Sequence, residues 1–379
     1  MNFIFKRHPL AIAYCDSLAG QGIANATSGL FLAAPRRVGK STFLLNELIS
    51  EAKNRNWTTV YIDLWVNLNV NPADLIADAI KNKIIEQDNK FARIAKKVKL
   101  DKINVLGAFV LNFTNRGLPE NITLTDALRI LIKISEQPIL LIIDEAQQAL
   151  MNEKAMNAMF AIKSARDQLN LPGEKPLLML VFTGSNRDKL AHLVLKKNNP
   201  FFGSDVTPFP LLNKDYTDTF TDWVNQNLGK NNQFSKTSMH QAFKFVGHRP
   251  EILRQITGKI ALNGDANNLG ELLHKDALTW QNRVWEEFES DFNSLNPLQK
   301  IILQTLIQKG QPWLPFSEES MQTYSDMTGE QTISTATVQS AIQSLRERGL
   351  LWQSGRGSYA LEDDSFAEWF KHTVHLSET

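Results

Sequence analysis

A short loop between two apolar segments constrains the fold of this chain more than any other feature. The residues from Leu30 to Ala34 are apolar and predict a buried strand, and a helix with one apolar face is predicted to begin at Lys40. The eight residues from Ala34 to Ser41 read Ala-Pro-Arg-Arg-Val-Gly-Lys-Ser. They match the Walker A pattern, except that Ala34 replaces the first glycine.

A loop of this pattern binds phosphate through its backbone. Successive N–H groups surround the phosphate oxygens, and the helix N-terminus adds a partial positive charge. The Lys40 ammonium is expected to reach the β- and γ-phosphates, and the Ser41 hydroxyl to ligate Mg²⁺. The alternative is a strand–turn–helix that contains Gly-Lys-Ser by chance, and the flanking strand and helix argue against it. Because alanine is small, Ala34 should change the loop only slightly unless that position requires a positive φ.

The composition bounds the class of protein. At 379 residues the chain is long enough for two or three domains. Its hydrophobic content of 43% and charged content of 21% are ordinary for a globular protein, and its net charge of +1 gives no general argument for nucleic-acid or membrane binding. The single cysteine, Cys15, excludes an intrachain disulfide and a cysteine-rich zinc site. The N-terminal residues lack an apolar core of signal-peptide length and no apolar run could span a bilayer, so we expect a soluble, cytoplasmic protein.

A second strand places the loop in a parallel sheet. The residues from Trp57 to Trp65 are rich in β-branched and aromatic side chains, which predicts a strand. The first strand, a helix that ends near Arg55 and this second strand make a βαβ unit, in which the crossover is right-handed. The predicted fold class is therefore α/β.

A third apolar strand ends in two carboxylates. Five consecutive aliphatic residues after Pro138 precede Asp144 and Glu145, and a continuous apolar run predicts a strand buried on both faces. Ligands of open α/β sheets lie beyond the carboxyl ends of the strands, which is where these acids stand. The alternative is a buried strand that ends at a helix N-cap, with Asp144 as the cap. The upstream loop favours a Walker B motif.

The next strand, from Leu177 to Phe182, ends in small polar residues. In ATPases whose catalytic glutamate follows the Walker B aspartate, the neighbouring strand carries a polar group that contacts the γ-phosphate or the attacking water. Ser185 or Asn186 fits that place, although polar residues commonly do no more than end a strand. Arg187 could contact a nucleotide bound by its own chain (in cis) or by a neighbouring chain (in trans), or it could pair with Asp188 or another acid.

Residues 72–116 combine a predicted helix with a short segment, Val105 to Phe113, that could be β. Between Ile76 and Arg116 there are nine Lys or Arg and four Asp or Glu, a local net charge of +5. Such a run most often forms one solvated helix face. A surface for nucleic acid or an acidic partner is the alternative.

From Pro208 onward the chain is predicted to be mostly helical. Helices followed by a hairpin are typical of a winged-helix domain. The predicted elements are a turn from Gly247 to Leu253 that starts a helix, helices at about 270–292, 298–307 and 337–348, and a hairpin from Leu350 to Leu361 with its tip at 354–358.

These elements predict a P-loop domain at 1–207, a helical lid at 208–292 and a winged-helix domain at 293–379. The last domain contains six Lys or Arg and ten Asp or Glu, a net charge of −4. A DNA-binding module is expected to present a basic face, so we expect this domain to face the rest of the molecule or a protein. Weak or specific contact with DNA stays open through polar residues of the helix and hairpin tip: Gln339, Ser340, Gln343, Arg346, Arg348 and Arg356.

Four features together resemble a known family: Pro-Arg-Arg-Val-Gly-Lys-Ser, the strand ending Asp-Glu-Ala-Gln, the Thr-Gly-Ser turn, and Gly-x-x-Pro in a helical lid. The chain resembles the archaeal-type P-loop ATPases of the STAND branch, near the AAA+ and Orc/Cdc6 proteins. The resemblance covers roughly 25–379 and is weakest across 66–125. It implies a P-loop ATPase parallel sheet with a helical lid and a C-terminal winged-helix domain, and ATP and Mg²⁺ as ligands.

The resemblance also implies roles for individual residues. Asp144 would hold Mg²⁺ through water, and Glu145 would polarise the attacking water. Pro250 would help to close the lid over the nucleotide, and Arg249 would sense the γ-phosphate. The catalytic candidates are Glu145, Lys40, Ser185, Asn186 and Arg249, and the metal ligands are Ser41 and Asp144. The predicted ATP-binding residues are Ala34, Pro35, Arg36, Arg37, Val38, Gly39, Lys40, Ser41, Thr42 and Pro250.

The functional hypothesis is an ATPase that hydrolyses ATP slowly and acts as a nucleotide-gated switch on a protein partner. The alternative is a DNA-associated ATPase of the loader or transposition-helper type, and the distinguishing observation is whether DNA stimulates ATP turnover. A third hypothesis, a binding module with a degenerate site, conflicts with the intact Lys40, Asp144 and Glu145. No membrane partner is expected. No arginine finger can be assigned from sequence, so a nucleotide-dependent oligomer stays open.

Overall fold

The computed structural model describes residues 3–87, 117–118, 122–229, 232–262, 268–310, 313–329 and 331–373. The chain divides into two units. The first unit comprises Met1–Lys6, Ala34–Lys40 and Phe209–Thr379, and the second comprises Arg7–Ala33 and Ser41–Pro208. The three domain ranges proposed from the sequence stay a prediction.

The second unit is built on a parallel β-sheet. Its strands are β1 (Leu30–Ala33), β2 (Thr58–Asp63), β3 (Ile139–Asp144), β4 (Leu178–Gly184) and β5 (Val206–Pro208). In the described part of the chain they lie in the order β2-β3-β4-β1-β5, and every neighbouring pair is parallel. β4 therefore lies between the strand that precedes the loop and the strand that ends at Asp144. The predicted parallel α/β sheet is confirmed.

Helices cover the sheet. They are α1 (His8–Leu18), α2 (Lys40–Phe43), α3 (Ile49–Asn54), α4 (Pro72–Glu86), α5 (Leu124–Ser135), α6 (Glu153–Leu169) and α7 (Arg187–Leu195). A π-helical segment, Leu44–Leu48, joins α2 to α3, so the helix predicted to run to about Arg55 is confirmed with a widened turn inside it. A 3₁₀-helix, Ala146–Met151, follows β3 and was not predicted.

The burial of each strand agrees with its sequence. β3 and β4 are buried along their whole length, as unbroken apolar runs require in a sheet covered on both faces. β2 lies at the edge of the sheet and alternates buried with half-buried residues. β5 and α7 are absent from the sequence-based prediction, and β5 has only three residues, too few for a periodic signal.

α4 begins at Pro72, where the side chain of Asn71 accepts a hydrogen bond from the backbone of Ala73. A proline in the first turn and a capping asparagine are both favourable at a helix start. The segment from Val105 to Phe113 and most of the basic stretch up to Arg116 lie outside the described residues. The predictions made for them therefore stay predictions.

In its described residues, the first unit is helical with one hairpin. Its elements are α8 (Lys214–Asn225), α9 (Lys236–Phe245), α10 (Pro250–Leu262), α11 (Leu269–Asn293), α12 (Pro297–Lys309), α13 (Glu318–Thr328), α14 (Thr335–Glu347), β6 (Leu351–Gly355), β7 (Ser358–Leu361) and α15 (Ser365–Thr373). Helices α8, α9, α10 and α11 share one apolar core. Helices α12, α13, α14 and α15 share a second one with the hairpin. The predicted helices and the antiparallel hairpin are confirmed. The winged-helix assignment stays a prediction.

Aromatic side chains fasten the C-terminal helix to α11. The ring centroids of Phe288 and Phe366 lie 5.2 Å apart, and those of Phe292 lie 5.8 Å from Trp369 and 5.6 Å from Phe370. Edge-on aromatic pairs at these distances add to the stabilisation from burial. Within the described ranges, no helix has both the length and the apolar character that a membrane span requires.

Candidate functional site

The Walker A loop joins β1 to α2. Arg37 has φ 66° and Gly39 has φ 89°, so these two positions adopt the left-handed region. Ala34 is buried and does not have a positive φ. The alanine that replaces the first glycine of the pattern is therefore compatible with the backbone of the loop. Gly39 is the position where glycine is required, because a side chain there would be strained.

In the first unit, the loop lies beside the start of α10. A Cβ placed on Gly39 would lie 3.9 Å from side-chain atoms of Leu212 and Pro250. Arg37 Nε lies 3.9 Å from Glu251 Oε2, and both side chains are exposed. Pro250 is thus a neighbour of the loop, and its predicted role in closing a lid over the nucleotide stays a prediction.

Asp144 lies at the centre of a hydrogen-bonded cluster in the second unit. Ser41 Oγ donates to its Oδ2 over 2.7 Å, and the Tyr61 hydroxyl donates to the same oxygen over 2.9 Å. Thr183 Oγ1 donates to Oδ1, which also accepts from the backbone N–H of Glu145 at 3.1 Å. Asp144 is 2% exposed. A carboxylate buried to this extent is stable only when its oxygens accept several hydrogen bonds, and these donors supply them.

Tyr61 remains a donor to this cluster across the physiological pH range. Burial raises the pKa of the Tyr61 phenol above its ordinary value, and the nearby Asp144 carboxylate raises it further. Asp63, at the end of the same strand, is in register with Asp144. Burial raises the pKa of Asp63 as well, and the charges of Asp144 and Glu145 act in the same direction. Negative charge is therefore concentrated at the carboxyl ends of β2 and β3, which suits a divalent cation.

Glu145 has a left-handed backbone and a buried side chain. Its φ is 56° and it is 9% exposed. Its Oε2 accepts a hydrogen bond from Ser185 Oγ at 2.7 Å and from the Ser185 backbone N–H at 3.3 Å. The side-chain amide of Gln147 donates to the same oxygen. A strained backbone held by surrounding contacts is frequent at functional sites. The structure thus brings Ser185 to Glu145, and the role of Ser185 as a polar sensor stays a prediction.

Asn186 and Arg187 lie where α7 begins. Asn186 Oδ1 accepts a hydrogen bond from the backbone N–H of Lys189 at 2.7 Å and caps the helix. Arg187 is the first residue of α7. Asp188, which the sequence offered as a partner of Arg187, lies with its Oδ2 3.7 Å from His192 Nε2 in the same helix. The helix-capping contact gives Asn186 a structural role. Roles for Asn186 and Arg187 toward a nucleotide stay predictions.

The residues at the end of β3 fit Mg²⁺. Ser41 and Asp144 present hard oxygen atoms 2.7 Å apart. Among the described residues there is no group of three or more His, Cys, Asp or Glu that could hold a metal by itself. Mg²⁺ is commonly bound by one or two protein oxygens together with water and substrate phosphates, rather than by an all-protein cage. The oxygen atoms of Ser41 and Asp144 are compatible with a cation of this kind, and their role as metal ligands stays a prediction.

Arg249 contacts the C-terminal segment of the first unit. Its Nη2 lies 3.2 Å from Asp363 Oδ2, and its guanidinium carbon lies 5.1 Å from the centroid of the Trp280 ring. The side chain is 14% exposed. Gly247 makes room for it, because a Cβ there would collide with Arg249 Nη1. The role of Arg249 as a γ-phosphate sensor stays a prediction, and its observed partner is a carboxylate.

Three hydrogen-bond partners of Asp144 and Glu145 were not predicted from the sequence. Tyr61 was assigned only to a strand, Thr183 only to a polar strand end, and Gln147 only to a family motif. The register of β2 with β3 and of β3 with β4 brings Tyr61 and Thr183 to Asp144. A usable signal was present for Thr183, because a polar residue at the end of an otherwise apolar buried strand needs a partner.

Comparison with models of known protein families gives no match, and comparison with curated proteins gives none either. Solved structures do match. The Walker-type ATPase PABY2304 of Pyrococcus abyssi has 17% sequence identity and a TM-score of 0.56, with 97% of this chain and 96% of that chain covered. The ORC2 protein of Aeropyrum pernix in its ADP form has 13% identity and a TM-score of 0.53, with 98% and 93% covered.

These similarities show the fold. The chain shares the α/β fold of a Walker-type ATPase and of an archaeal ORC protein over nearly its whole length. The fold class predicted from the sequence is thereby confirmed. The STAND part of the resemblance stays a prediction, and activity has to be argued from the residues of the site.

Proposed function

We propose that the protein binds ATP with Mg²⁺ and hydrolyses the bond between its β- and γ-phosphates. The observation that carries this proposal is the 2.7 Å hydrogen bond from Ser41 to Asp144. It joins the residue directly after the loop lysine to a carboxylate 103 positions further along the chain. A chance Gly-Lys-Ser sequence would not be expected to meet an aspartate at the end of a buried strand.

The loop and the start of α2 would bind the phosphates. Backbone N–H groups of the loop and the N-terminus of the helix attract anions. Lys40 is the first residue of α2 and is 5% exposed. We assign to Lys40 the binding of the β- and γ-phosphates, where its positive charge offsets the charge that develops on the leaving group.

Ser41 and Asp144 would hold the metal. When bound, Mg²⁺ supplies positive charge to the β- and γ-phosphate oxygens. Tyr61 and Thr183 each donate a hydrogen bond to Asp144 and so fix the direction of its carboxylate. Partners of this kind usually affect metal affinity by about 10–100-fold.

Glu145 would act as the general base. Its carboxylate accepts a proton from the attacking water while the water oxygen forms a bond to the γ-phosphorus. The bond from that phosphorus to the bridging oxygen breaks, and ADP leaves with the bridging oxygen. Positioned general bases contribute about 10²–10⁴-fold to rate. Ser185, which donates to Glu145, keeps the carboxylate in place.

The binding step is tested with Lys40→Ala in the full-length chain. ATP affinity is measured by titration in Mg²⁺, and Lys53→Ala, an exposed lysine of α3, is the matched control. Loss of the charge-assisted contacts should weaken ATP binding by at least about tenfold, because hydrogen bonds to charged groups contribute about 1.5–3 kcal/mol. Equal affinity in Lys40→Ala and Lys53→Ala would exclude the loop as the phosphate site.

For the biological role, a nucleotide-gated switch that acts on a protein partner is the proposal we favour. The support is the negative charge of residues 293–379, six basic against ten acidic residues, which disfavours phosphate backbones. A DNA-associated ATPase is the second candidate, since α14 exposes Thr337, Gln339, Ser340 and Gln343. ATP turnover with and without duplex DNA distinguishes them, and a mass measurement with a non-hydrolysable nucleotide tests for assembly. Stimulation by DNA would favour the second candidate.

A further inference from the structure

Gln147 links the two polar groups that follow β3 and β4. It lies in the 3₁₀-helix after β3 and is 4% exposed. Its side-chain Nε2 donates to Glu145 Oε2 and lies 3.4 Å from Ser185 Oγ. Ser185 Oγ in turn donates to the same carboxylate oxygen. Glu145, Gln147 and Ser185 therefore form a closed triangle of side chains.

The carboxylate fixes the orientation of the Gln147 amide. A charged carboxylate can only accept hydrogen bonds, so the NH₂ group of the amide must face it. The amide oxygen, Oε1, therefore points away from Glu145. Within the described residues no donor reaches this buried oxygen. A buried amide oxygen without a donor is unfavourable for folding, so stability alone does not account for glutamine at this position.

The end of β4 leaves room for that oxygen. A Cβ on Gly184 would lie 2.8 Å from Gln147 Oε1 and 3.1 Å from Leu190 Cβ. The φ of Gly184 is not positive, so its backbone does not require glycine. A methyl group at position 184 would therefore displace the Gln147 amide and press against Leu190, so glycine leaves the space that these side chains occupy. Two positions 37 residues apart in the sequence are thus matched to each other.

We infer that Gln147 is a positioning residue for the hydrolysis step and holds the Glu145 carboxylate in the direction in which it accepts a proton from water. This inference rests on the proposed ATPase function. The Ser185 hydroxyl and backbone N–H both donate to Glu145 Oε2 from the end of β4. Gln147 donates to the same oxygen from the 3₁₀-helix after β3, so the carboxylate is held from two sides.

The first test is Gln147→Met, which keeps the length of the side chain and removes its hydrogen bonds. Gln148→Met, one residue further on in the same helix, is the matched control. We expect kcat for ATP hydrolysis to fall by about tenfold or more in Gln147→Met, a fraction of the general-base contribution. The Kd for ATP and the melting temperature should stay close to those of Gln148→Met, because the hydrogen bonds described for the Gln147 side chain go to Glu145 and Ser185 and not to the phosphate-binding loop.

The second test uses Gly184→Ala, which retains the amide but displaces it. This variant should lower kcat when Gln147 is present and should have much less effect when combined with Gln147→Ala, which vacates the space. An effect of Gly184→Ala that is equal in both backgrounds would contradict the match between the two positions. If Gly184→Ala lowers kcat only when Gln147 is present, the match is supported even if Gln147→Met folds poorly.

A third measurement separates positioning from general stability. Under single-turnover conditions, Gln147→Met should lower the rate strongly in the wild-type background and little in the Glu145→Gln background, since the proposed effect passes through Glu145. Equal losses in both backgrounds would overturn the inference. If the wild-type protein hydrolyses ATP and Gln147→Met has the same kcat, the inference about Gln147 fails while the proposed function stands. Absence of hydrolysis in the wild type would overturn the proposed function together with it.

Discussion

The cluster around Asp144 contains the predicted metal ligands and the turn around Arg249 contains a predicted catalytic residue, and the surroundings of these two regions differ. At Asp144 the partners are Ser41, Tyr61 and Thr183, all at one end of the sheet. At Arg249 the partner is Asp363, 114 positions away in the C-terminal segment. Sheet register brings strand ends together automatically, whereas the partner of a helix-turn residue depends on how separate helices pack. The partners of residues at strand ends can therefore be anticipated from the order of the strands, whereas the partners of lid residues have to be seen in the structure.

The largest effect is expected at Glu145. Glu145→Gln keeps the size of the side chain but removes its ability to accept a proton, so hydrolysis should slow by about 10²–10⁴-fold while ATP binding is kept. Phosphate release and ATP titration measure the two steps. Glu153→Gln, an exposed glutamate at the start of α6, is the control and should match the wild type. Wild-type turnover in Glu145→Gln would assign the base elsewhere.

A smaller effect is expected at Tyr61. Tyr61→Phe removes one donor to Asp144 and leaves the ring in place, so the carboxylate is held less firmly toward the metal. The Mg²⁺ concentration for half-maximal turnover should rise by about tenfold, within the range usual for partners of metal ligands. Turnover at saturating Mg²⁺ should change much less. A loss of maximal turnover with unchanged Mg²⁺ dependence would contradict the role given to Tyr61.

The smallest effects are expected at Arg249. If this arginine senses the γ-phosphate, Arg249→Ala should narrow the ratio of ATP to ADP affinity by about two- to fivefold, as for a partly exposed charge pair. Asp363→Asn, which removes the charge that holds Arg249, should widen the ratio. Titrations with both nucleotides measure the two ratios. Unchanged ratios in both variants would leave Arg249 as a packing residue between Trp280 and Asp363.

The sequence predicted the strands that are long and apolar. β3 and β4 were identified because unbroken aliphatic runs fit only a sheet covered on both faces. β5 was missed because Val206–Pro208 has only three residues and is defined as a strand by its parallel pairing with β1. The 3₁₀-helix that carries Gln147 was also missed, because a short helix of this kind has no amphipathic period.

At the site, the sequence identified candidate residues, and it did not identify the side chains that contact them. Ser41, Asp144 and Glu145 follow from motif and spacing, and Ser185 follows from the neighbouring strand. Tyr61 could not be predicted as a partner of Asp144, since this requires the pairing of β2 with β3 in one register. The pair of Arg249 with Asp363 was equally inaccessible, because no local pattern links residues in different helices.

The central claim is that the cluster around Asp144 completes a site for Mg²⁺-dependent ATP hydrolysis. The most direct measurement is phosphate release from ATP by the full-length wild-type chain, in Mg²⁺ and in EDTA, with Lys40→Ala purified in parallel. We predict saturable release in Mg²⁺ that disappears in EDTA and in Lys40→Ala. ATP binding without any release, or release at the same rate in Lys40→Ala, would contradict the claim.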